Sequence, residues 1–409
     1  MRLRLVATNL LAGLTVAFVA LPLALAFGIG SGLGAQAGLV TAVIAGMIAA
    51  LAGGSRHQVS GPTGAMTVIL IPIVALYGPV AILQVGLMAG GFLVLAGLAK
   101  LGNHIHRLPT ALVEGFTAGI ALVIAMQQVA FVLGVKLQAN EHIWQSVFEE
   151  VQIWLGEPQV GTLILGLAAI SINLLGSKRF PRLPVALISI IGLSFIANLF
   201  GLQTQRIGDV PTNLLSIDLN FLDSGNWLPL VPPALAIAFL AGLESLLSAR
   251  IADRLVGFGN HNPDRELIGQ GLANIAVPFF GGVPATAALA RTAVNIRAGA
   301  SSRLAGFSHS VFLLAMVLFL APNIAQIPLA ALGGVLIATA YHMVKIDELI
   351  VTSKQSRLDA IVLLITLIAT VVLDLISALA IGLLIYLALR KTKLSYRQPP
   401  IDPEETLGD

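Results

Sequence analysis

Long apolar runs, broken by Gly, Pro and charged residues, occupy most of this chain. They predict about fourteen membrane segments, near 9–28, 34–54, 61–77, 79–99, 108–134, 159–176 and 183–201 in the first half. The second half repeats the pattern near 229–250, 266–282, 284–299, 303–321, 327–343, 358–373 and 375–389. Two further stretches, around Trp144 to Trp154 and at Asp347-Glu348-Leu349-Ile350, read as interfacial amphipathic helices.

Composition agrees with an all-α polytopic membrane protein. Of 409 residues, 57% are hydrophobic and only 11% charged, whereas a soluble domain carries about a quarter of its residues as Asp, Glu, Lys and Arg. That excludes a large soluble domain and the enzymes that need one. The formal charge of +3 points to no nucleic-acid partner, because membrane proteins collect Lys and Arg in cytoplasmic loops. The chain has no Cys, so disulfides and thiolate metal sites are excluded. Met1 to Arg4, followed by an apolar run without a cleavage site, reads as the start of the first span.

Seven segments per half is an odd number, which makes the two halves inverted. Loop charge agrees with that count: with the N-terminus inside, every one of the 23 basic residues except Lys136, Arg206 and Arg291 falls on the inner side. The two long outer connections carry acids, Glu141, Glu149, Glu150 and Glu157 in one and Asp209, Asp218 and Asp223 in the other. Both ends are expected in the cytoplasm of a cell with the protein in its inner or plasma membrane.

A weak internal repeat supports the same division. Gly53-Gly54 ahead of Pro62-Thr63-Gly64-Ala65 is echoed by Gly281-Gly282 ahead of Pro284-Ala285-Thr286-Ala287, and Leu108-Pro109 with Leu112 and Gly115 by Ile327-Pro328 with Leu332 and Gly334, at nearly equal separations. The expected units are residues 1–202, the first repeat; 203–390, the second; and a short cytoplasmic tail at 391–409. Inverted repeats of this kind mark secondary transporters.

Segments three and ten are the informative ones. Pro62 to Tyr77 is too short to cross as a helix, so an extended stretch, Arg56 to Ser60, is expected to lead into a half-helix that begins at the proline. Gly281 to Pro284 is expected to do likewise. Irregular backbone at that depth is tolerated only where protein or a polar cavity covers it, so two helix N-termini are expected to face each other near the midplane. Each offers free N–H groups and a positive dipole end to an anion. Gly64 and Ala65, with Ala287 and Ala288, would let a ligand approach the backbone; Thr63 and Thr286 would supply hydroxyls; Arg291 adds a positive charge. Close helix packing is the structural alternative for these small residues.

Glu244 lies in the middle of segment eight, where a carboxylate costs about 2.5–3.5 kcal/mol on insertion scales. Ser248 shares its face one turn on, so the pair could bind substrate or hold a proton. The alternatives are an ion pair, for instance with Arg291, or a protonated carboxyl bonded to backbone. Arg250, Asp253 and Arg254 read as a solvated helix-end network, and Glu114 and Asp374 as capping or interfacial groups. His57, His309 and His342 lack metal-ligand spacing. No metal, cofactor or catalytic residue is expected.

The run Gln58 to Ala65, the stretch Glu244-Ser245-Leu246-Leu247-Ser248 through Asp253-Arg254, Glu266-Leu267-Ile268-Gly269-Gln270-Gly271-Leu272-Ala273-Asn274, and Gly281 to Asn295 together resemble the SulP family of inorganic-anion transporters. Ala20-Leu21-Pro22-Leu23-Ala24-Leu25-Ala26-Phe27 is similar to its first helix. The resemblance covers nearly the whole chain. It implies seven plus seven inverted segments, with a core domain of segments 1–4 and 8–11 that moves against a gate domain of segments 5–7 and 12–14, usually in homodimers. It also implies an anion site at Pro22, Phe27, Thr63, Gly64, Ala65, Glu244, Ser248, Thr286, Ala287, Ala288 and Arg291. Family members typically append a cytoplasmic STAS domain; after Arg390 only a short polar tail remains here, so regulation through STAS is not expected. Sodium-coupled bicarbonate relatives pair an Asp on segment eight with a hydroxyl on segment ten, where this chain has Glu244 and Leu289. Proton coupling through Glu244, or anion exchange, is therefore expected in place of sodium coupling.

The expected function is secondary active transport of a small anion such as sulfate, bicarbonate, chloride or a dicarboxylate. The rivals are a channel-like anion conductor and a nucleobase permease of similar architecture; the latter tends to place a second acid or amide where this chain has small residues and Arg291. Nothing resembling HExxH or another intramembrane enzyme motif is present.

Overall fold

The computed structural model describes residues 2–105, 109–136, 143–180, 183–210, 213–223, 225, 227–257, 261–373 and 375–390. Asp374, Glu141 and the 391–409 tail lie outside them. The first half contains α1 (Arg2–Gly30), α2 (Ala35–Ala52), β1 (Ser60–Gly61), α3 (Gly64–Tyr77), α4 (Val80–Leu98), α5 (Gly102–Ile105), α6 (Thr110–Gln127), α7 (Val129–Leu133), α8 (Ile143–Gly156), α9 (Val160–Arg179) and α10 (Val185–Leu199). The second half contains α11 (Val231–Val256), α12 (Pro263–Ala276), β2 (Thr286–Ala287), α13 (Leu289–Arg297), α14 (Arg303–Ala325), α15 (Leu329–Met343), α16 (Ile346–Gln355), α17 (Arg357–Val372) and α18 (Leu375–Leu389). A helix lies within each apolar run of the sequence, and α8 and α16 occupy the two amphipathic stretches. Among the described residues, eight helices are long and apolar enough to cross a membrane.

Local signals explain where the elements begin and end. Asn262 caps α12, its side chain accepting from the Arg265 N–H at 2.9 Å, and Pro263 follows where its missing N–H costs no bond. Ser356 caps α17 by accepting from the Asp359 N–H at 3.0 Å. Gly257 closes α11 in the left-handed conformation, φ 75°. α1 runs unbroken through Pro22.

The helices pack in two groups. α12 lies against α4 and α2, α14 against α1 and α2, and α11 against α4 and α13. In the other group α17 packs on α6 and α18, and α15 on α9 and α6. α3 touches α6, and α1 touches α10 and α15, across the division.

At the centre, β1 and β2 pair antiparallel, Ser60 opposite Ala287 and Gly61 opposite Thr286. The pairing continues one step out, where the Ala288 N–H donates to the Val59 carbonyl at 3.0 Å and the Val59 N–H to Thr292 Oγ1 at 3.2 Å. This ribbon satisfies backbone groups that lipid would leave unpaired. It also moves both helix starts from where the sequence places them. α3 begins at Gly64, with Thr63 as its cap, two residues after Pro62. α13 begins at Leu289, so Thr286 and Ala287 are strand residues and not the first helical turn. Cross-strand hydrogen bonding, a long-range term absent from local propensity, is the reason.

Each half holds the other's loop. Glu266 on α12 accepts from the N–H groups of Gly54 and Ser55 at 2.8 and 3.0 Å, and Gln270 donates to Ser60 Oγ at 2.7 Å. In return Thr41 on α2 accepts from the Val283 N–H at 2.7 Å. Asn274 adds a two-way clamp within the second half, accepting from the Ala285 N–H at 2.8 Å and donating to the Ala285 carbonyl at 2.9 Å.

Candidate functional site

The ribbon brings the N-termini of α3 and α13 together beside the middle of α11. Both helices are short, 14 and 9 residues, or about 21 and 14 Å at 1.5 Å per residue. Their first-turn N–H groups have no helical carbonyl to meet. At α13, Leu289 and Ala290 are exposed and Ala288 is half-buried. The start of α13 therefore faces open space.

Thr63 is half-buried and joins two elements. Its hydroxyl donates to Glu244 Oε2 at 3.2 Å and accepts from the Met66 N–H at 3.5 Å. Glu244 is half-buried on α11. The ion-pair alternative with Arg291 is not the arrangement found: the carboxylate is bonded by Thr63, and Arg291 Nη2 donates to the Pro62 carbonyl at 2.5 Å.

Arg291 is 1% exposed. A side chain at Gly61 would collide with its Nη1, which places the guanidinium behind the ribbon. From there it contributes positive potential to the open space, screened little by water, and not a direct contact. Thr286 is likewise buried, its hydroxyl donating to the Ala241 carbonyl at 3.2 Å and lying 2.9 Å from Ser245 Oγ.

Ser245, rather than Ser248, couples α11 to the ribbon. Its Oγ accepts from the Ala287 N–H at 3.1 Å while bonding Thr286. Ser248 is one layer away, donating to Thr292 Oγ1 at 3.4 Å, where it supports the residue that holds Val59. The shared helical face singled out Ser248; the signal for Ser245 is the strand pairing of residue 287, which spacing does not encode.

Gly64 and Ala65 are buried. A Cβ on Gly64 would collide with Ile124 of α6 and lie 3.2 Å from the Phe27 ring, so in this conformation Ile124 covers the start of α3. Phe27 is buried beside it, and Thr67 ties α3 to α1 by donating to the Phe27 carbonyl at 3.3 Å. Pro22 is also buried, about 7.5 Å back along α1. The structure thus brings Phe27, Thr63, Gly64, Glu244, Ala287 and Ala288 around one centre, with Arg291, Thr286 and Ser248 in the wall behind. Among the described residues no cluster of His, Asp and Glu suited to a metal ion occurs.

A model of the sulfate permease family matches residues 6–366. YvdB of Bacillus subtilis is 39% identical over 383 residues, 92% of this chain and 72% of that protein. The bicarbonate transporter BicA of Picosynechococcus is 30% identical over 405 residues, 95% of this chain and 71% of that one. Among solved structures, the transmembrane domain of a cyanobacterial bicarbonate transporter BicA superposes with a TM-score of 0.83 at 30% identity, covering 91% of this chain and 96% of that one. Murine Slc26a9 in an inward-facing state shares the fold, TM-score 0.85 at 17% identity, over 94% of this chain and 68% of that one.

Proposed function

The chain belongs to the sulfate permease family, and on that premise we propose that it is a secondary active transporter of small anions working by alternating access. It is a membrane transporter protein and not an enzyme. Sulfate, bicarbonate, chloride and small dicarboxylates are the substrate class. A relative named as a bicarbonate transporter that matches nearly the full chain supports the inorganic members. The anion sits between the starts of α3 and α13, against Thr63, Gly64, Ala65, Ala287 and Ala288, with Pro22 and Phe27 of α1 and Ser248 and Thr286 in the surrounding wall. Arg291 supplies positive potential, and Glu244 carries the coupling proton in symport, or is replaced in that role by a counter-anion in exchange.

The observation that carries this reading is the antiparallel pairing of residues 60–61 with 286–287. It draws two positive helix ends, the α13 start exposed and the α3 start covered by Ile124, toward one carboxylate, in keeping with the arrangement that holds anionic substrates in broken-helix transporters. Seven plus seven inverted segments, with α1–α4 and α11–α14 as core and the remaining helices as gate, agree with the two packing groups. Loop charge supports cytoplasmic ends, and the working unit is a homodimer.

Uptake of sulfate, bicarbonate and chloride into proteoliposomes under imposed proton and anion gradients tests the reading. Saturable uptake driven by either gradient supports it. Uptake that follows membrane voltage alone at channel-like rates would replace it with a conductor.

A further inference from the structure

The chain passes from one packing group to the other between α10, which packs on α9, and α11, and again between α14 and α15. The second of these connections is only residues 326–328 long. The two are hydrogen-bonded to each other. The Leu329 N–H donates to the Gln205 carbonyl at 2.8 Å, the Ile207 N–H to the Ile327 carbonyl at 3.1 Å, and the Gly208 N–H to the Ala325 carbonyl at 3.2 Å. Arg206 stands opposite Pro328 as an antiparallel bridge. Gly208 takes φ 80°, a conformation that glycine adopts without steric cost. Val210, Leu214, Ile324 and Ile327 are buried in one apolar cluster with Ile207 packed against it, which holds the paired segments to the helices.

These bonds differ in what they join. Gln205 follows α10 and Leu329 opens α15, so their bond lies within one packing group. Gly208 instead meets Ala325, the last residue of α14, in the other group. Arg206 reaches both. Its Nη1 carries two hydrogens, one donated to Asn198 Oδ1 on α10 at 2.6 Å and one to Oε1 of Gln326, the residue that ends α14. Arg206 is one of the three basic residues that fall outside the inner set, and the anion site makes no use of it.

The end of α14 and the start of α15 are four peptide units apart, at most about 14 Å when fully extended. The two groups can therefore turn about this edge but cannot part there. Turning carries Gln326 away from Asn198, because the two sit on helices of different groups. We propose that Arg206 is the latch of this hinge: held by Asn198, it catches Gln326 and stabilises the present conformation, in which Ile124 covers the start of α3. This rests on the reading that the two groups move against each other in transport. Release of Gln326 by Arg206, with Asn198 retained, accompanies the change to the other conformation.

The test uses the full chain in nanodiscs. It has no Cys, so Leu98→Cys on α4 and Leu175→Cys on α9, both at exposed positions in different groups, take a pair of spin labels whose distance distribution reports the two conformations. Arg206→Ala and Gln326→Ala are each expected to raise the population of the second distance about two- to fivefold, the range for an exposed charged contact. Gln326→Glu offers Arg206 a charged acceptor and is expected to lower that population by a similar factor, less so at high salt. In the Arg206→Ala background Gln326→Glu is expected to change nothing. A loss of folding moves both Gln326 variants the same way, whereas a latch moves them in opposite directions. An unchanged distribution in all the variants, a shift of the same sign for Gln326→Ala and Gln326→Glu, or a full Gln326→Glu effect without Arg206 overturns the proposal. Uptake of sulfate, bicarbonate and chloride by the unsubstituted protein is measured alongside; if there is none, the transport reading falls, and the label distances decide the latch separately.

Discussion

The Thr63 hydroxyl donates to Glu244 Oε2 at 3.2 Å, tying the cap of one half-helix to the middle of a helix 181 residues away. The hydroxyl that caps α3 is thereby also the partner of the carboxylate. Replacing Glu244 with Gln keeps an oxygen for Thr63 and removes only the ability to ionise. Proton-driven uptake in proteoliposomes is expected to disappear while counterflow exchange of the same anion persists. Undiminished proton-driven accumulation in this variant would remove Glu244 from coupling.

Thr63→Val removes the cap and the carboxylate's partner together. A lost N-cap costs about 0.5–2 kcal/mol and a hydrogen bond to a charged group about 1.5–3 kcal/mol. In a double-mutant cycle with Glu244→Gln, read by thermal unfolding in detergent, the two substitutions are expected to couple by about 1 kcal/mol. Strict additivity would mean that the charge on the Glu244 carboxylate adds nothing to the bond.

Ser245 and Ser248 make a matched comparison. Ser245→Ala strands the buried Ala287 N–H, a loss of about 1–3 kcal/mol. Ser248→Ala removes one long hydroxyl contact to Thr292 and is expected to cost less than 1 kcal/mol. Unfolding midpoints and anion affinity are both expected to fall further for the Ser245 variant; the reverse order would restore Ser248 as the principal contact.

Gly64 and Ile124 are predicted to be reciprocal. A methyl group at Gly64 collides with the Ile124 side chain, so Gly64→Ala is expected to lower the transport rate at least tenfold, overpacking of this kind costing about 1–3 kcal/mol. Ile124→Ala in the same chain is expected to recover most of it. Initial uptake rates for the two single variants and the double variant check this, and no recovery in the double variant would show that α6 does not limit access to α3.

Much of this fold was legible without coordinates. Apolar runs located the helices, because in lipid hydropathy is nearly the whole of the local signal, and Glu244 stood out by its insertion cost. Thr63 was identifiable as a hydroxyl next to a membrane proline. What escaped was set by contacts remote in sequence. Strand pairing moved the start of α13 to Leu289 and buried Thr286. The glycine at position 61 let the Arg291 side chain lie behind the strand. Ser245 matters because residue 287 comes to it, and Ile124 because α6 packs its side chain over Gly64.

The ribbon has a consequence for how the protein is made. β1 cannot complete its hydrogen bonds until Thr286 and Ala287 have left the ribosome. Until then an extended segment waits with unsatisfied backbone that bare hydrocarbon would penalise by several kcal/mol per group. The first half must therefore keep this segment hydrated or shielded during translation, and the meeting of α3 with α13 comes into being only as the second half inserts.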